Sequence, residues 1–196
     1  MNTLKVQTRD ENEKAKRLRR EGYITGNLYG KEIEKSILLK IERKEAERAL
    51  KGCMKGTQIL LDLNGKTYDV LIKDMDYDSM KNQLLEIDFQ ALVSNEKVHS
   101  VAEIVLENKE KVVEGVLEQL LQEVSYKAYP SALVDKVIVD VGNMRLGDKI
   151  KVKDLDIAKN KDIDLHTDPE KVVVSVLALH ENADDEETDE AETPAK

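Results

Sequence analysis

Apolar and polar residues alternate along "TLKVQT" (3–8) and "SILLKIE" (36–42), the pattern of strands with one face in a core. "TQILLDLNGKTYDVLIKDMD" (57–76) holds two alternating runs around Asn64-Gly65, a pair suited to the positive backbone angles of a tight turn, which predicts a hairpin. "YITGNLYG" (23–30) reads as a short strand interrupted at Gly26, and "NQLLEIDFQAL" (82–92) as a further strand. Between these, "RKEAERALKG" (43–52) sets Ala46, Ala49 and Leu50 on one side of a helix that Gly52 ends. "NEKAKRLRREG" (12–22) has one large apolar residue, Leu18, and predicts a loop with a helical turn, capped by Asn12 and stopped at Gly22.

From about residue 95 the strand candidates run closer together: "KVHSVAEIVL", "VSYKAYP", "KVIVDV" and "DPEKVVVSVLAL", punctuated at Asn108, Pro130, Gly142, Gly147 and Pro169. "EGVLEQLLQEV" (114–124) is read as strand, although Val116, Leu117, Leu120, Leu121 and Val124 also fit a helical stripe. The reading is therefore mainly β with minor α. It divides the chain into an N-terminal domain (1–93), a C-terminal β domain (94–180) and a disordered acidic tail (181–196).

Composition changes this picture in one respect, the placement of charge. The chain has 196 residues and a formal net charge of -9, but 181–196 hold eight acids against one Lys, so most of the excess lies in the tail. Residues 1–51 carry fourteen Lys or Arg against nine Asp or Glu, a basic front suited to a polyanion. The single cysteine, Cys53, excludes an intramolecular disulfide and fits a reducing compartment. With neither the apolar core of a signal peptide nor a run of ~20 apolar residues, the expectation is a cytoplasmic protein away from membranes.

Catalytic patterns do not emerge. His99, His166 and His180 are far apart without metal-ligand spacing, and no phosphate-binding glycine loop or nucleophile elbow occurs, so neither enzyme, metal nor cofactor is expected. Asp74 and Asp76 read as a solvated strand face. The chemistry lies instead in Lys14, Lys16, Arg17, Arg19 and Arg20, five cations in seven residues, with Arg9 just upstream. Arg forks onto phosphate oxygens or a guanine edge and stacks on bases, and Tyr29 offers a ring or a hydroxyl for the same ligand.

Arg9, "LRREGYITGNLYG" (18–30), "VLIKDMDYD" (70–78) and "IDF" (87–89) occur in an order that resembles a bacterial ribosomal family, the 5S rRNA-binding twenty-fifth protein of the large subunit. "IVDVGNMRLGDKIKVKDL" (138–155) resembles the second-domain motif of its longer, general-stress (CTC) form and is the most specific single signal. The resemblance implies a six-stranded β-barrel-like domain that docks on 5S rRNA, a C-terminal β domain, and a non-enzymatic, ribosome-associated protein. It would touch neighbouring ribosomal proteins and be a monomer off the ribosome. Carried over by position, Arg9, Arg19, Arg20, Tyr29 and Asp88 match RNA-contacting residues, with Lys14, Lys16 and Arg17 supporting them by charge.

Four positions depart from the family pattern. Glu86 stands for the motif His, Asp76 for a Gln, Thr25 for the loop Pro, and Glu118-Gln119 for a double glycine. A carboxylate beside a phosphate chain is repulsive. Glu86 and Asp76 thus motivate an alternative, a stress-related paralogue acting as a protein-interaction adaptor with weakened rRNA binding.

Overall fold

The computed structural model describes residues 3–81, 83–112 and 115–178. The expected acidic tail lies outside the described residues. The first part contains β1 (Thr3–Thr8), α1 (Ala15–Arg20), β2 (Tyr23–Gly30), β3 (Ile33–Glu42), α2 (Arg43–Ala49), β4 (Gln58–Leu63), β5 (Lys66–Asp78) and β6 (Gln83–Ala91). Its six strands close into a barrel in the order β1-β3-β2-β6-β5-β4. Two pairings are parallel, β1 with β4 and β2 with β6, and the others antiparallel.

Closure follows from the alternation. Leu4 and Val6, Ile24 and Leu28, Leu39 and Ile41, Ile59 and Leu61, and Ile87 and Phe89 all enter one aliphatic core, with Phe89 fully buried. A closed barrel leaves no unpaired edge. Asn64 and Gly65 have φ of 54° and 86°, the two positive angles the hairpin required, and Asp62 Oδ1 accepts a hydrogen bond from the Gly65 N–H at 2.9 Å.

Gly26 corrects one expectation, because it lies within β2 without breaking it. A Cβ there would stand 2.6 Å from the Ile87 carbonyl oxygen across the β2–β6 pair, so glycine permits close strand approach. The strand read at 36–42 starts earlier, at Ile33, and the helix read to residue 52 ends at Ala49, with Gly52 at φ 80° beyond it.

The second part comprises β7 (Val98–Glu107), β8 (Val116–Gln119), β9 (Glu123–Ala128), β10 (Lys136–Asp140), β11 (Lys149–Lys151), α3 (Asp156–Lys159), β12 (Ile163–Leu165) and β13 (Val172–Leu177). They form a four-stranded sheet, β10-β7-β9-β12, and a three-stranded sheet, β11-β13-β8, around a separate core that includes Val124, Tyr126, Val139 and Val173. Of the stretch read as one strand, 116–119 form β8 and 123–124 begin β9, with a break at 120–122, so it is strand and not helix. α3 and three short 3-10 turns went unread. Their segments are four residues or fewer, too short to show a period.

The 138–155 motif runs from the end of β10 through turns to β11 and the 3-10 turn that follows it. Asp140 Oδ1 accepts from the Gly142 N–H at 2.9 Å and Asn108 Nδ2 at 2.8 Å; Asp148 Oδ2 accepts from the Arg145 N–H at 2.8 Å, and Asp154 Oδ2 from the Lys151 N–H at 3.0 Å. Each aspartate satisfies a backbone donor where no strand can. At the double-glycine position, Gln119 Nε2 donates to the carbonyls of Ile104 (3.1 Å) and Leu121 (3.2 Å).

Candidate nucleic-acid interface

α1 is short because it has little to bury. Leu18 is its one buried residue, and Lys14 is its N-cap, without a side-chain hydrogen bond. Asn12 is not the cap; its amide donates to Asp10 Oδ1 at 3.3 Å inside the preceding turn. Gly22, at φ 93°, ends the helix as expected. The end is anchored by Arg43, whose Nη2 donates to the Arg19 carbonyl at 3.1 Å and whose N–H donates to the Gly22 carbonyl at 3.0 Å.

The five predicted cations divide into two groups. Arg17 pairs with Glu21 at 2.8 Å and Arg19 with Glu86 at 3.1 Å. Lys14, Lys16 and Arg20 are exposed and have no ion-pair partner among the described residues. Two of the acids upstream are engaged by β3, Glu11 by Lys35 at 2.8 Å and Glu13 by Lys40 at 3.4 Å, which draws those carboxylates away from the free cations.

Beside α1 lies the outer face of the barrel. Ile24, Leu28, Ile87 and Phe89 point inward, so their neighbours Asn27 and Tyr29 on β2 and Glu86 and Asp88 on β6 face out. Thr25 belongs to the same face but is fully buried, and Arg19 Nη2 donates to its Oγ1 at 3.3 Å. The register sets Thr25 beside Glu86 and Asn27 beside Asp88, and β5 adds Asp76 opposite Glu86 and Asp74 opposite Asp88.

Hydrogen bonds order this polar plate. Asn27 Nδ2 donates to Asp88 Oδ1 at 2.8 Å and reaches Glu86 Oε1 at 3.4 Å. Lys55 Nζ lies 2.6 Å from Asp74 Oδ1; their hydrogen bond holds the Asp74 carboxyl below and the Lys55 ammonium above its ordinary pKa. Burial, and then the charges of Asp88 and Asp74, push the Tyr29 phenol up, so its O–H remains a donor at neutral pH.

A cleft of about 290 Å³ follows, lined by Tyr29, Gly56, Lys73, Asp74, Asp88 and Ser100. Its far wall is β7, where a Cβ on Gly56 would collide with the Val101 carbonyl and Lys73 Nζ donates to the His99 carbonyl at 2.6 Å. A larger hollow of about 370 Å³, beside Lys5, Tyr23, Lys40 and Asp62, contains none of the predicted site residues.

The fold thus brings Arg19, Tyr29, Glu86, Asp88 and Asp76 onto one face, with Lys14, Lys16, Arg17 and Arg20 on the adjoining helix. Arg9 lies on the β1–β3 side. Its N–H donates to the Leu38 carbonyl at 2.8 Å, and its buried Nε has no partner among the described residues. Sequence reasoning missed Asn27, Lys55 and Lys73. Asn27 was legible in principle, since it alternates with Thr25 and Tyr29 and must share their face; Lys55 and Lys73 gave no local signal.

Such a surface offers cations for phosphates beside carboxylates and an amide that accept from N–H and O–H groups. Among the described residues, no group of three or more His, Cys, Asp or Glu is placed to hold a metal ion. Nor is any described helix long and apolar enough to cross a membrane.

Comparison with known proteins bears on the same residues. The model of the Ribosomal L25p family matches residues 4–89, and that of the C-terminal domain of ribosomal protein TL5 matches residues 97–180. Proteins named large ribosomal subunit protein bL25 are similar over nearly the whole chain. The one from Finegoldia magna is 32% identical over 95% of this chain and 90% of its own length, and that from Bacillus velezensis 31% over 96% and 94%. The one from Thermoanaerobacter sp. is 30% identical over 87% and 85%. With the closed barrel, the second β domain and relatives of this identity across both, the chain belongs to the Ribosomal L25p family.

Proposed function

We propose that this protein is a structural constituent of the large ribosomal subunit in the cytoplasm and that its barrel face and α1 bind 5S rRNA. The observation that carries the reading is the juxtaposition of three unpaired cations, Lys14, Lys16 and Arg20, with a plate of acceptors built from Asn27, Asp88 and Asp74. An A-form helix presents both counterparts: phosphates on its rim, and 2′-hydroxyls and base amino groups in its wide minor groove. Carboxylates repel phosphate but accept well from those donors, so a mixed face selects a groove over a bare backbone. Tyr29 supplies a ring at the edge of the plate, and the free cations, with Arg9 beyond them, supply phosphate contacts.

The test is a gel shift of the purified chain on its own organism's 5S rRNA over a salt series, with transfer RNA as competitor. Selective binding is expected, weakening as salt rises. The logarithm of the binding constant should fall with a slope of about -3 to -4 against log salt, since each neutralised phosphate contributes roughly 0.9 and Arg9, Lys14, Lys16 and Arg20 are available. Lys16→Ala should reduce that slope by about 1 while leaving the preference over transfer RNA intact. Equal affinity for both RNAs sinks the reading.

The adaptor alternative draws on Asp76, which is exposed and has no ion-pair partner among the described residues. Glu86 supports it less, because Arg19 already neutralises that carboxylate. If the alternative holds, Asp76→Gln alone should raise RNA affinity sharply.

A further inference from the structure

Three positions of one cluster converge on a single guanidinium. Arg19 Nε donates to the Leu85 carbonyl at 3.3 Å, and Nη2 donates to Thr25 Oγ1 at 3.3 Å and Glu86 Oε2 at 3.1 Å. Thr25 and Glu86 are two of the four departures noted in the sequence, and they lie side by side in the β2–β6 register. The Thr25 hydroxyl donates in turn to the Leu85 carbonyl at 3.4 Å, so donors and acceptors close into a ring around Arg19.

An arginine has five N–H donors in a fixed plane. Here three are committed, one on Nε and two on Nη2, which leaves the pair on Nη1. The Arg19 and Glu86 side chains are 31% and 35% exposed, so the cluster is shielded but remains at the surface. Its charge is balanced. A guanidinium so held is a poor counter-ion and a good oriented donor, because its direction is set before a ligand arrives.

We propose that Glu86 is a positioning residue for RNA recognition: it fixes Arg19 so that its Nη1 edge acts as an oriented hydrogen-bond donor to the RNA instead of a free counter-charge. This rests on the RNA-binding reading above and sharpens it. Specificity comes through Arg19, whereas long-range attraction comes from Lys14, Lys16 and Arg20. It also reverses the expected sign at Glu86, where removal of the carboxylate weakens binding.

The experiment is a double-mutant cycle on the full chain with Glu86→Gln, Arg19→Ala and the pair, measuring 5S rRNA affinity, salt slope and preference over transfer RNA. Glu86→Gln should weaken 5S rRNA binding by roughly tenfold, the scale of a charge-assisted hydrogen bond, without lowering the salt slope, since it frees a cation and removes none. The double variant should bind no more weakly than Arg19→Ala alone, because the two residues act as one unit. In the free protein the Arg19 Nε–H should be protected from solvent exchange by NMR, and Glu86→Gln should abolish that protection.

Tighter binding by Glu86→Gln overturns the proposal, and so do single effects that simply add in the double variant. If the wild type is selective and Glu86→Gln matches it, the positioning role alone is lost. If the wild type shows no selectivity although the Nε–H is protected, the RNA reading fails and the cluster serves only the fold.

Discussion

Tyr126 shows how one hydroxyl can hold a segment without secondary structure. Its ring is fully buried, and its O–H donates to the Val134 carbonyl at 2.7 Å while accepting from the Val134 N–H at 2.8 Å. Tyr126→Phe removes both bonds at once and leaves two backbone groups short of partners, so we expect a loss of about 1–3 kcal/mol in urea unfolding. Gly26→Ala drives a methyl group into the Ile87 carbonyl and is expected to cost about 1–3 kcal/mol by the same measurement. Glu170 lies between Lys151 at 2.7 Å and Lys153 at 2.8 Å, and hydrogen bonds from both hold its carboxyl down to about 2 from its ordinary 4.5. A depressed carboxylate stabilises the fold above its unfolded pKa and loses that contribution as pH falls through the folded one. Melting temperature should therefore drop between pH 4.5 and about 2 in the wild type, and drop less in Glu170→Gln. Cations and aspartates were legible as residue types, yet their partners were not. His99 and His166 look unrelated in sequence, but β7 pairs with β9 and β9 with β12, which sets the two rings 4.5 Å apart.

At the scale of elements, legibility followed local chemistry. The β4–β5 hairpin was readable because Asn64-Gly65 fixes both the turn and its register. α1 was readable as a helical turn from its cations and Gly22, but what holds it was not, because its supports come from Arg43 on α2 and from β6, far along the chain. β11 and β12, three residues each, carry no period at all. They become strands through pairing with β13 and β9. α1 lacks the propensity to stand alone, since six residues fall well short of the about 12–15 that an isolated helix needs. Leu18→Ala should accordingly release α1 while the barrel persists: amide exchange at residues 15–20 rises, that at Ile24 and Phe89 does not, and 5S rRNA affinity falls.

For the whole molecule, the two-part organisation was readable from the change in strand density near residue 95, whereas the join was not. Gly56 against Val101 and Lys73 on the His99 carbonyl are contacts between parts that share no sequence pattern. Burial lowers the Lys73 pKa, and the carbonyl accepts a hydrogen bond from its ammonium. Charge, too, is a property of the whole. Residues 181–196 carry a net -7 of the total -9, and a chain ending at residue 180 should bind RNA more tightly at low salt. The advantage should shrink as screening rises, which a gel shift at two ionic strengths measures.

The parallel pairing of β2 with β6 has a consequence for synthesis. Arg19 leaves the exit tunnel 67 residues before Glu86, the carboxylate on β6 that will neutralise it. Throughout that interval the newborn chain presents a bare cationic segment to the RNA-lined surface of the ribosome making it. Chains stalled with residue 80 outside the tunnel should cling to ribosomal RNA in a salt-sensitive manner. Those stalled with residue 100 outside should cling less but not let go, because Glu86 has by then neutralised Arg19 while Lys14, Lys16 and Arg20 stay free.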